Sequence, residues 1–197
     1  MHATPPAPTF TTEQGADIAR TDGLVVPGRS CGSCNLCCKT VGVTELEKPA
    51  GKWCSHCRPG NGCGIHALRP FSCRVFYCEW MVSKGLGPEW KPEKSKFVLF
   101  KTNDGRRMTA HVDPGYPSAW RASPYYQNFK IWAAEAVRQD PMHIVDVVVG
   151  GQVTVVLPDR DVEVGRLTPD DCVQLNRNAS GVVSVHIIHR TEREDSK

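Results

Sequence analysis

The sequence predicts an α+β protein in which a small cysteine-rich, metal-stabilised module is followed by a small antiparallel sheet with one main helix. Three observations carry this. Nine of the ten cysteines fall between Cys31 and Cys78, in a stretch short of aliphatic residues. Beyond residue 95, short runs rich in Val and Ile alternate with turn signals. Among those runs lies one segment, YYQNFKIWAAEAVRQ, whose apolar residues recur at helical spacing.

The 197 residues suit one ordinary domain plus a smaller appendage. The net charge of +3 is too small to argue for a nucleic-acid or an anionic partner. Compartment decides what clustered cysteines mean. A secretory signal needs a basic start and an apolar run of about 7 to 15 residues. The longest apolar stretch in residues 1–30 is Leu24-Val25-Val26. No stretch is long enough to cross a membrane. The expected location is the cytoplasm, where thiols stay reduced and clustered ones bind metal. A disulfide scaffold is disfavoured, because export is unsupported and nine is an odd number to pair.

Residues 1–27, rich in Thr, Pro and Ala without periodicity, read as a flexible tail. The cysteine module spans 28–84. Its many Gly and Pro residues preclude a normal core, so a bound metal has to supply the missing folding energy. Its last part, Pro70 to Lys84, reads as one helix with proline at the first position and Gly85 as the stop. Residues 85–94 (GLGPEWKPEK) look like a linker, 95–190 form the α+β domain, and 191–197 are a C-terminal tail.

In that domain, Ser95 to Lys101 and Arg107 to Val112 read as strands joined at Asn103-Asp104-Gly105. Ser123-Pro124 supplies an N-cap and first helical position. The helix stripe is Phe129, Trp132, Ala133, Ala136 and Val137. Ile144 to Val149 and Val153 to Leu157 form a second hairpin about Gly150-Gly151, and Val162 to Val164 and Val182 to Ile188 add strands.

Four thiolates at suitable spacing hold Zn²⁺ tetrahedrally or ligate an iron–sulfur cluster. Two readings compete for the same residues. The zinc reading pairs Cys31-x2-Cys34 with Cys54-x2-Cys57 across a ribbon-like spacing. The iron–sulfur reading takes Cys31, Cys34 and Cys37, spaced as in ferredoxins, plus a remote thiolate. Cys38 follows Cys37 directly and neighbouring side chains diverge, so one of the two is expected to serve a second metal or a different iron. Nine thiols (Cys31, Cys34, Cys37, Cys38, Cys54, Cys57, Cys63, Cys73 and Cys78) exceed one closed site, which implies more than one metal ion.

On an intact helix Cys73 and Cys78 point about 140° apart and do not share an ion. Cys73 sits at the helix start, where free N–H groups favour a thiolate. Cys78 is a weaker candidate, as are His56 and His66 within the module. His111, His143, His186 and His189 read as ordinary surface or core residues, and Cys172 as a small structural hydrophobe.

CGSCNLCC, WCSHC, GCGIHALRPFSC and FYC together resemble the bacterial zinc- or iron-chelating cysteine-cluster family (YkgJ-type, C-x-x-C-x-x-C-C proteins) over residues 28–84. The resemblance implies chelation by Cys31, Cys34, Cys37, Cys38, Cys54, Cys63 and Cys73, with Arg69-Pro70 shaping the turn into the last helix. His66 stands where many members carry an aromatic residue, and Cys57 and Cys78 look like features of a subgroup.

The functional expectation is a metal-binding, non-catalytic protein whose C-terminal domain docks a protein partner. An iron–sulfur protein with a redox, sensing or enzyme-maturation role is the alternative. A nucleic-acid-binding zinc ribbon is the lesser one: Lys39, Lys48, Lys52, Arg58, Arg69, Arg74 and Lys84 outnumber Glu45, Glu47 and Glu79, although these bases also read as a solvated face. No phosphate-cradling loop is present, and Asp113, Asp159 and Asp161 read as water-facing strand-edge carboxylates. Enzyme chemistry beyond the metal is not expected.

Overall fold

A computed structural model describes residues 24–102, 105–168 and 170–189. The expected tails fall outside these residues, apart from 24–27, and so do Asn103 and Asp104 of the first hairpin turn. The chain divides into two compact units with the boundary after Ser95. Among the described residues, no helix is long and apolar enough to cross a membrane.

Among the described residues, the first unit is built from short pieces. They are helix α1 (Cys37–Thr40), a two-residue ladder of β1 (Cys57–Arg58) and β2 (Gly62–Cys63), and helices α2 (Phe71–Val75), α3 (Glu79–Val82) and α4 (Pro92–Ser95). Among the described residues, its buried apolar side chains are few: Leu36, Val43, Met81, Leu86 and Trp90. Polar side chains complete the interior. Arg29 donates to the carbonyls of Trp80, Ser83 (2.8 Å) and Leu86 (2.6 Å). Its guanidinium also stands 5.1 Å from the centre of the Trp80 ring.

Two expectations are corrected in this unit. The single helix from Pro70 to Lys84 is broken: Phe76 turns to extended backbone, and Cys78 becomes the residue capping α3. Helix forms on either side of the break, but Pro70 is the cap rather than the first helical position, and the second piece ends at Val82, before Gly85. Residues 85–94 are not a linker either. They fold into a 3₁₀ turn (Pro88–Trp90) leading to α4, with Leu86, Trp90 and Pro92 buried.

The second unit is α+β as expected. Strands β3 (Phe97–Thr102), β4 (Arg107–Val112), β5 (Ile144–Val149), β6 (Gln152–Val156) and β7 (Asp161–Arg166) form one five-stranded sheet in sequence order. All pairs are antiparallel except β4–β5, which is parallel. The long helix α5 (Tyr125–Ala136) lies between those two strands in sequence, and a crossover of that length returns the chain in the same direction. Gly150 and Gly151 (φ 57° and 86°) make the tight β5–β6 turn, whose left-handed backbone other residues resist. Phe129, Ala133 and Ala136 of α5 are buried; Phe129 lies 5.7 Å from the Phe97 ring and 6.1 Å from that of Trp120. The cap of α5 is Pro124 rather than Ser123, and it has no side-chain cap bond.

Strand β8 (Asp171–Arg177) is not among the expected strands: DCVQLNR holds one β-branched residue, Val173, so its alternation is weakly marked. It pairs with β9 (Val183–His189) as a separate hairpin. Val173, Leu175 and Val183 from this hairpin pack on Val155 and Leu157. Cys172 alternates with Val173 and therefore faces away from that cluster.

The carboxylates read as facing water are also corrected in part. Asp113 is buried and accepts from the Gly115 N–H at 2.9 Å. Asp161 accepts from Lys130 (2.8 Å), Arg121 (2.8 Å) and Tyr126 (3.1 Å). Asp159 pairs in the open with Arg160 at 2.5 Å.

Candidate metal centre

The cysteines are placed by short turns. The Cys34 N–H bonds to the Cys31 carbonyl at 2.8 Å, closing the first C-x2-C turn, with Gly32 at φ 53°. Cys37 and Cys38 open α1. Cys54 donates its N–H to the Cys38 carbonyl at 2.9 Å, and Cys57 donates to Cys54 at 3.0 Å, closing the second C-x2-C turn. Cys57 and Cys63 then face each other as partners across β1 and β2. At Gly64 the backbone approaches closely: a Cβ there would lie 3.1 Å from the His56 carbonyl oxygen.

Cys73 lies in the middle of α2. That helix is anchored by Ser72, whose N–H and hydroxyl donate to the Glu45 carboxylate at 2.9 and 2.7 Å. Arg74 and Arg69 hold the turn before it, donating to the Arg69 and His66 carbonyls at 3.0 Å each.

All ten cysteines are free thiols. Burial pushes up the thiols of Cys34, Cys63 and Cys73, that of Cys57 to about 12, and that of Cys78 to about 11. The expected acidity of Cys73 at a helix start is therefore reversed: desolvation and the neighbouring Cys38 outweigh the hydrogen bond from the Ser72 side chain. Cys38 behaves oppositely and falls to about 6. The Cys37 thiol donates to it, Cys57 adds a second hydrogen bond, and Lys48 and Arg69 add positive charge. Cys37, as the donor to Cys38, holds its proton more tightly.

The thiols are thus close enough to bond and to sense one another. The thiols acting most strongly on Cys78 are Cys31 and Cys34, whereas those acting on Cys73 are Cys38 and Cys54. Among the described residues, no three Cys, His, Asp or Glu side chains already surround one point as an ion requires. The residues present fit a thiophilic metal by donor chemistry: many sulfurs, held by turns, in mutual hydrogen-bond and electrostatic contact. A bound zinc would supply fixed cross-links between these turns, and an iron–sulfur cluster would add an exchangeable electron.

The histidines are less engaged. His56 gives its carbonyl to Gly64 at 2.8 Å. His66 is exposed, and slight burial together with Arg69 lowers its pKa.

Lys48 is the residue that sequence reasoning misplaced. It belongs to no solvated basic face: it is 8% exposed, and its ammonium donates to the carbonyls of Lys39 (3.3 Å) and Val41. Burial lowers its pKa, while Cys54, Cys38, Cys37 and Cys73 pull the other way. The only hint in the sequence was its placement in VTELEK, whose two ends close as the Val43–Lys48 bridge. Set against models of known protein families, curated proteins and solved structures, the chain matches none.

Proposed function

We propose that the first unit is a thiolate metal-binding module, holding zinc or an iron–sulfur centre in a reducing compartment such as the cytoplasm. The observation carrying this is the gathering of nine free thiols, several of them in mutual electrostatic contact, in a unit with few described buried aliphatic residues. A unit so poor in apolar core needs another source of folding energy, and metal–thiolate bonds provide it. The sequence resemblance to the zinc- or iron-chelating cysteine-cluster family supports the same reading. The second unit, a sheet and helix with its own core, acts as a non-catalytic docking domain for a protein partner.

Anaerobic purification followed by elemental analysis and a visible spectrum tests the proposal. Stoichiometric zinc, or iron with sulfide and charge-transfer absorption, supports it. A folded chain without either metal refutes it.

A further inference from the structure

The thiols sort into two groups when traced by backbone connection. The segment before Cys31 is tied to α3: Val26 donates to the Met81 carbonyl at 2.9 Å, and Arg29 binds the carbonyls of Trp80, Ser83 and Leu86. This brings the Cys31–Cys34 turn toward Cys78, the cap of α3. The other group is tied to the end of α1. Cys54 is bonded to the Cys38 backbone, Cys57 faces Cys63 across β1 and β2, and Glu45, just beyond α1, anchors the helix carrying Cys73. The electrostatic contacts follow the same division, with Cys31 and Cys34 acting on Cys78, and Cys38 and Cys54 acting on both Cys63 and Cys73.

Cys37 and Cys38 stand at the boundary. Successive residues of a helix point about 100° apart. Cys37 and Cys38 bond to each other; beyond that contact Cys31 and Cys34 act on Cys37, whereas Cys57 bonds to Cys38.

We propose that the module holds two separate four-thiolate centres whose boundary runs through the Cys37–Cys38 peptide. Cys31, Cys34, Cys37 and Cys78 form one centre. Cys38, Cys54, Cys73 and one of Cys57 and Cys63 form the other. This rests on the metal-binding reading above and assigns its ligands. Buried Lys48 lies beside the second group and also feels Cys37 at the boundary, so its charge offsets part of the negative charge there. The two centres are neighbours in contact through Cys37 and Cys38, so the adjacent pair is the means by which one short helix serves both.

The test is an anaerobic Co²⁺ titration of the metal-free full-length chain, following sulfur-to-cobalt charge-transfer and tetrahedral d–d absorption. Hydrogen exchange at the β5–β6 hairpin monitors folding of the second unit in every variant. Wild type is expected to take up two equivalents. Cys34→Ser and Cys54→Ser should each lose one equivalent, and together both. Cys34→Ser/Cys37→Ser should retain what Cys34→Ser retains, whereas Cys34→Ser/Cys38→Ser should lose the remainder. Loss of both equivalents on Cys34→Ser or Cys54→Ser alone means one pooled polynuclear centre and overturns the division. So does a Cys38→Ser change that adds nothing to Cys34→Ser. Wild type taking up no cobalt would instead overturn the metal-binding reading itself.

Discussion

Lys48 turns its side chain inward so that its ammonium donates to the carbonyl of Val41, three residues beyond Cys38. A buried lysine in a thiol-rich unit has two roles: it satisfies backbone oxygens, and it places positive charge where thiolates form. Lys48→Met, similar in size but uncharged, is expected to weaken metal affinity by about 10- to 100-fold, as loss of a supporting contact around a metal site does. Competition with a chromophoric chelator measures this. Affinity within twofold of wild type would show that Lys48 serves the backbone alone.

Removing the metal should act unequally on the two units. The first has few buried aliphatic residues, whereas the second has aromatic contacts among Phe97, Trp120 and Phe129 and a second cluster around Val155 and Leu157. Under chelation, hydrogen exchange should accelerate throughout residues 24–95 while β3–β6 keep their protection. Equal loss in both units would refute independent stabilisation.

Cys73→Ser should lower metal content per folded chain, because Cys73 lies in the electrostatic field of Cys38 and Cys54. Cys172→Ser should leave it unchanged, since Cys172 belongs to β8 in the second unit. Elemental analysis of the two variants side by side decides it, and equal losses would sink the assignment.

Arg29 binds three carbonyls around α3 with one planar guanidinium. Arg29→Ala is expected to destabilise the first unit by about 1–3 kcal/mol, since hydrogen bonds to a charged group are lost and partly buried carbonyls are left unpaired. Arg29→Lys should recover less than half of that, because a single ammonium cannot reproduce the fork. Denaturation of the metal-loaded chain provides the comparison, and full rescue by lysine would contradict the geometry.

Asp161 carries a pH dependence. Burial raises its pKa, but hydrogen bonds and charge from Lys130, with bonds from Arg121 and Tyr126, outweigh burial and hold it below the ordinary carboxylate range. A depressed folded-state pKa gives stability that is fully present above the unfolded value of about 4 and is lost as pH falls through the folded one. Arg121 is half exposed, which screens its share. Asp161→Asn should therefore cost about 1–2 kcal/mol at neutral pH, within the range for charged hydrogen bonds. The gap should close in acid. A constant gap between pH 7 and pH 2, from denaturation followed by circular dichroism, would exclude this origin.

Much of the second unit could be read directly from the chain. Strands Arg107–Val112 and Ile144–Val149 declare themselves as short runs bounded by turn signals, and the stripe through Phe129, Ala133 and Ala136 declares itself through a period of 3.6. The thiol cluster was equally legible, since cysteine density and C-x2-C spacing are local properties. What no local pattern carries is the pairing of distant segments. The parallel join of β4 to β5, the break at Phe76 that frees Cys78 from the helix of Cys73, and the inward turn of Lys48 all depend on contacts across tens of residues or on burial. The composition and spacing of this chain therefore decided which atoms could bind a metal. Folding decided which sulfurs became neighbours, because Arg29, Glu45 and the Cys38–Cys54 backbone bond connect turns that lie far apart along the chain.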